Sequence, residues 1–188
     1  ILIGLPVWYC IGILIKFSEK FSGPGIINVV GEPIKVGYSI MYAYIGLSVG
    51  DLISGILSQV FKSRKKIIVG YLISTVILVL FFLFHKNVST SYFYFMCFAI
   101  GAATGYWALF VTVASEQFGT NIRATVTTTV PNFVRGAVVP ITLSFKSLEI
   151  SGGAVNAALI VGAVCIGLAL IATLSLKESF SKDLDYTE

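Results

Sequence analysis

Asp51 and Arg135 are charged residues set deep inside otherwise apolar stretches of this chain. Asp51 stands ten residues before Phe61, where an apolar run ends. At the helical rise that places it about 15 Å in from that end. Arg135 stands twelve residues after Arg123, about 18 Å in from the same side. A hydrocarbon core is about 30 Å thick, so both fall near mid-depth. Ionisable groups at that depth are costly, and they turn towards one another, other protein or a wet cavity. We therefore expect Asp51 and Arg135 to face the bundle interior at similar depth. A guanidinium matches carboxylate or phosphate oxygens in a fork, so Arg135 can bind an anionic group on a solute. Asp51 can carry a proton, with Arg135 competing for its charge. The plain alternative is a permanent structural ion pair between two helices.

Other residue types support a site around these two. Pro131, Asn132 and Gly136 flank Arg135, and Pro140 follows. Proline kinks a helix and frees carbonyls, which is tolerated where neighbours or water satisfy them. Trp8, Tyr9, Tyr42, Tyr106 and Trp107 can line a cavity with apolar walls and polar tips, although packing accounts for any one of them equally well. Gly101 and Gly105 form a small-xxx-small step, read as helix packing. Arg64, Glu116 and Arg123 lie at helix ends on one side. They can pair there as a cytoplasmic gate that latches one conformation, or the basic ones can simply hold topology.

These residues need membrane helices to position them. Of the residues, 56% are hydrophobic and 12% charged, with a mean hydropathy of +0.92, whereas a soluble domain carries about 25% charged residues. Six apolar segments follow, at about 1–15, 37–61, 67–84, 92–115, 123–145 and 154–176, with a charged tail over 177–188. The first is short because the chain opens at Ile1, inside a run and without Met, and so reads as part of something longer. The third and sixth segments are apolar almost all round, while the others carry polar, aromatic or charged residues. That division suggests two triplets, each ending in a peripheral helix, as in three-plus-three repeats. The basic cluster Lys62, Arg64, Lys65 and Lys66 marks a cytoplasmic loop. It sits between apolar runs and gives no reason to expect nucleic acid. Cys10, Cys97 and Cys165 lie in apolar runs without metal-ligand spacing and read as packing residues. No metal or cofactor is expected.

Three stretches resemble the major facilitator superfamily. The run from Gly55 to Lys66 (GILSQVFKSRKK) is similar to a degenerate copy of that family's cytoplasmic loop motif. Gln59 stands where the motif has Asp, and Lys62 where it has its second Gly. The run from Glu116 to Thr125 (EQFGTNIRAT) resembles the Glu, aromatic, Thr, Arg, small-residue run of sugar-porter-like and metabolite-symporter members. The segment from Leu176 to Tyr186 resembles the Glu-bearing segment after their last helix. The resemblance implies an all-α membrane protein. Its six-helix bundle would be a three-plus-three repeat forming the C-terminal half, helices seven to twelve, of a twelve-helix carrier.

The function expected is secondary active transport of a small polar metabolite, anionic if Arg135 binds it, by alternating access and coupled to a proton. The partners implied are the solute, the lipid bilayer of the cell membrane and an N-terminal six-helix half. A second class is a non-transporting membrane scaffold or sensor that retains the carrier fold. An enzyme is not expected, because the chain has one His and no acidic cluster, and no Ser has an evident base.

Overall fold

The computed structural model describes residues 1–180 apart from Pro24. Among these residues the chain is all-helical, with one isolated bridge and no named strand. The helices are α1 (Leu2–Ile15), α2 (Ser18–Ser22), α3 (Val36–Val60), α4 (Arg64–Phe84), α5 (Thr90–Ala103), α6 (Trp107–Glu116), α7 (Thr120–Gly136) and α8 (Val138–Ser175). Four helical stretches are long and apolar enough to cross a membrane: Val36–Val60, Arg64–Phe84, Thr90–Glu116 and Thr120–Ser175. They mark the protein as membrane-embedded. α1 is shorter, and it ends in a π-helical turn over Cys10–Ile15. Its residues Ile3 to Ile15 are buried except for half-buried Trp8. The expected tail runs past Phe180 and lies, beyond that residue, outside the described residues.

Local chemistry sets several boundaries. The Ser63 hydroxyl accepts the Lys66 N–H at 3.2 Å and caps α4. That helix therefore begins at Arg64, before the apolar run. Ser89 caps α5 in the same way, through the Tyr92 N–H at 3.3 Å. The apolar stretch 92–115 is two helices, because the chain leaves helical geometry between Ala103 and Trp107. Thr104 turns its hydroxyl back to the Ile100 and Gly101 carbonyls, at 3.0 and 2.9 Å. α7 and α8 follow each other across Ala137 alone, and α8 breaks at Gly153, where φ is 77° and ψ 163°. A residue with a Cβ rarely takes that backbone geometry.

α3 and α5 meet along a seam of small residues. A Cβ built on Gly46 would lie 2.0 Å from the Phe98 carbonyl oxygen, and one on Gly105 would lie 2.5 Å from the Gly50 Cα. Only glycine permits this approach, so Gly101 and Gly105 are packing residues, as their spacing implies. The buried residues form two clusters. One gathers Ile13, Phe21, Phe82, Phe93 and Phe145, and the other gathers Val7, Leu72, Tyr106, Phe110 and Val134. The three cysteines are buried and unpaired. At one end, the loop before α3 is tied to the turn between α4 and α5. The Val30 N–H donates to the Val88 carbonyl at 2.8 Å, the Asn87 N–H to the Ile27 carbonyl at 2.8 Å, and the Asn28 amide to the Asn87 side-chain oxygen at 2.5 Å.

Candidate functional site

The start of α6 gathers the residues singled out for chemistry. Within a helix the first N–H groups have no partner of their own. Tyr106, the residue at the cap position, provides no side-chain bond. The acceptor comes instead from α3: Asp51 Oδ1 accepts the Ala108 N–H at 3.0 Å. Trp107 then carries its ring towards α7, where the Arg135 guanidinium carbon lies 6.0 Å from the ring centroid. This is a cation–π contact at the outer edge of its range. Arg135 Nη1 also donates to Asn132 Oδ1 at 3.4 Å, and the Asn132 amide donates to the Thr128 carbonyl at 2.9 Å.

The two charges expected to meet at one depth stand apart in this half of the bundle. Asp51 is half-buried and turned to α6, whereas Arg135 is exposed. Among the described residues no ion pair joins them, which also sets aside the structural-pair alternative. The physical reason is the break before Trp107, which creates donors beside Asp51 that continuous helix would not have offered. α7 turns Val134, fully buried, to the core and leaves Thr125, Thr128, Thr129, Asn132 and Arg135 on its exposed side.

The aromatic candidates divide. Trp8 meets Trp107 edge-to-face with centroids 6.0 Å apart, and its indole N–H is buried without an acceptor. Tyr9 is fully buried, with its hydroxyl donated to the Ala158 carbonyl at 2.8 Å and its ring against Gly162. Tyr106 is fully buried too, and its hydroxyl donates to the Ile3 carbonyl at 2.9 Å. Both tie helices together and present no free polar atom. Tyr42 is exposed and stacks on Tyr94 with centroids 5.5 Å apart. It stands nine residues before Asp51 in the same helix, about 13 Å away, so it lies apart from the Trp107 group.

A second constellation occupies the far ends of α3, α4 and α6. Arg64 Nη2 pairs with Glu116 Oε1 at 3.0 Å, and Arg64 Nη1 donates to Ser58 Oγ at 2.8 Å. Ser179 donates to the other Glu116 oxygen at 2.6 Å, and the Arg64 guanidinium lies 5.4 Å from the centre of the Phe180 ring. Glu178 caps α4: its carboxylate accepts from the Ser63 hydroxyl and from the Arg64 and Lys65 N–H groups, at 2.9 and 3.3 Å for the two amides. Burial pushes the Glu178 carboxyl up, but the bonds from Ser63 and from the Arg64, Phe180 and Lys65 amides together outweigh it and hold it below its ordinary value. Arg123 donates to the Ser115 and Phe118 carbonyls, at 3.3 and 3.1 Å, and so closes the C-terminal end of α6.

Sequence reasoning named Arg64, Glu116 and Arg123 here but missed Glu178, Ser179 and Phe180 as their partners. The signal was present in the resemblance of the 176–186 segment, which gave a family likeness without saying what each side chain touches. Compared with known proteins, the chain matches no family profile, no curated protein and no solved structure.

Proposed function

We propose that the chain is the C-terminal half of a secondary carrier of the major facilitator type, moving a small anionic metabolite by alternating access across the cell membrane. The observation that carries this reading is Arg135. It lies near the Trp107 ring and donates to Asn132, it is exposed, and among the described residues no carboxylate pairs with it. Its donors are thus set out for an anion of the solute. The exposed face of α7 bears Thr125, Thr128, Thr129 and Asn132 beside it. Such a face is costly against lipid. A second six-helix half covers it in this reading, and the solute path runs between the halves with Trp8 and Trp107 as an apolar wall.

Three further features support the assignment. A discontinuous helix with polar groups gathered at its break is how many carriers build a mid-depth site. The run Thr120–Ser175 holds 56 residues, about 84 Å of helix against a core of about 30 Å, so Gly153 turns the chain between two crossings and the count of crossings reaches six. Lys62, standing where the loop motif has its second Gly, adopts a φ of 48°, which glycine takes without cost. In this carrier the Arg64–Glu116 pair latches the cytoplasmic end, and in a proton-coupled cycle Asp51 carries the proton.

The test is a thermal-shift screen of carboxylates, sugars and amines on the complete carrier, followed by uptake measurements. Carboxylates are expected to stabilise the wild type and not R135Q, and R135Q is expected to weaken uptake of the anionic solute. Uptake kinetics unchanged in R135Q would remove Arg135 from the site and with it this reading.

A further inference from the structure

We infer that Asp51 is a positioning residue, whose carboxylate holds the start of α6 and thereby sets the Trp107 ring beneath the Arg135 guanidinium. The argument begins at the seam. Gly105 and Gly50 touch main chain to main chain, and a Cβ on Gly105 would also lie 2.6 Å from the Asp51 nitrogen. The backbone of Asp51 is therefore fixed against the break in the apolar stretch. The Gly50 carbonyl is held in turn by the Tyr71 hydroxyl at 2.9 Å. Beyond the break, the Phe110 N–H returns to the Tyr106 carbonyl at 2.8 Å, so helical bonding resumes only there. The N–H groups of Trp107, Ala108 and Leu109 precede that bond and need acceptors from elsewhere. Asp51 supplies one to Ala108.

Trp107 is the first residue of α6, so its ring can keep its place only if that first turn keeps its own. The ring is the surface on which Arg135 lies, and it is also the partner of Trp8. A side chain on α3 thus sets the ring that a guanidinium on α7 approaches, through the first turn of α6. Asp51 needs an acceptor oxygen for this and no negative charge. Asparagine caps helices about as well as aspartate, whereas it cannot carry a proton at neutral pH. The positioning role and a proton-carrying role therefore part company at Asp51→Asn.

The inference rests on the Arg135–Trp107 arrangement proposed above as the solute site, but its readout needs no solute. The chain has two tryptophans. Biosynthetic 5-fluorotryptophan gives two fluorine resonances in detergent micelles, assigned with W8F. R135Q removes the cation above the Trp107 ring and shifts that resonance. In a D51N background the R135Q shift is expected to persist in full. In D51L it is expected to be lost, because the ring no longer lies under Arg135. A108P removes the donor instead of the acceptor, at a position in the first helical turn where proline is tolerated, and is expected to reproduce D51L. If D51L does not fold, A108P decides alone. A full R135Q shift in D51L or A108P overturns the inference, and so does its loss in D51N. A normal resonance pattern in this chain, together with uptake by the complete carrier that ignores Arg135, would overturn the carrier reading and leave this inference standing.

Discussion

Glu116→Gln is the perturbation whose size the structure defines most closely. The side chains of Arg64 and Glu116 are 15% and 9% exposed, whereas those of the pair Lys20–Glu149 are 44% and 22% exposed. Both pairs are short, at 3.0 and 2.7 Å, so distance alone would rank the outer one stronger. Solvent reverses that order. Exposed pairs contribute up to about 1 kcal/mol, while hydrogen bonds to charged groups shielded from water contribute about 1.5–3 kcal/mol each. Arg64 already has a buried Nε without a partner, so losing the Glu116 charge leaves the guanidinium facing a neutral amide oxygen, Ser58 and the Phe180 ring, with no opposing charge. A loss of about 2 kcal/mol follows for E116Q. At about 2–4 °C per kcal/mol for a chain of this size, that is a fall in Tm of about 4–8 °C. E149Q, the control, is expected to shift Tm by no more than about 2–4 °C. Thermal unfolding of the two variants in one detergent measures both. Equal shifts, or a larger shift for E149Q, would refute the claim that burial at the end of α6 gives this pair its strength.

Other expectations follow from particular contacts. G50A places a Cβ 2.2 Å from the Ala102 carbonyl oxygen and should cost at least about 1–3 kcal/mol; G55A, with nothing within 4 Å, should gain about 1 kcal/mol from helix propensity, and denaturant titration of the two separates crowding from propensity. Y9F removes the buried bond to the Ala158 carbonyl and should lower stability by about 1–3 kcal/mol in the same assay. Glu178 is held below its ordinary value of 4.5, so its contribution is complete above that value and is lost as pH falls through the lower folded one. Tm of the wild type should therefore decline on acidification below about pH 4.5 more steeply than that of E178Q, and parallel curves would remove Glu178 as the cause.

The helical character of the chain and its membrane setting were readable because composition alone determines them. The separation of the last two apolar segments, 123–145 and 154–176, was readable too, and the break at Gly153 falls in the gap between them. The break before Trp107 was not. The residues from Tyr92 to Ser115 are apolar almost throughout, and hydropathy does not register where backbone bonding stops. What stops it is a tertiary contact, Gly105 against Gly50, whose partner lies far away in the sequence. The same contact explains why Asp51 and Arg135, expected at similar depth, are not together. Depth follows from counting residues along one helix, but facing depends on the rotation of two helices about a third. Tyr9 and Tyr106 show the limit from the other side: a tyrosine in an apolar run offers a hydroxyl, and only packing decides whether a carbonyl of another helix already holds it.

The α3–α5 seam also constrains motion. Two main chains in contact cannot shear past each other, since the first fraction of a turn would drive Cα atoms together at Gly50 and Gly105. Whatever rearrangement this bundle undergoes, α3 and α5 must swing as a single beam. Bending is then left to joints where the helical ladder is already interrupted, among them Ala137 between α7 and α8, and Gly153 further along. The polar face of α7 adjoins the first of these joints, so a flexion there would tilt Arg135 while Asp51 stayed with the beam.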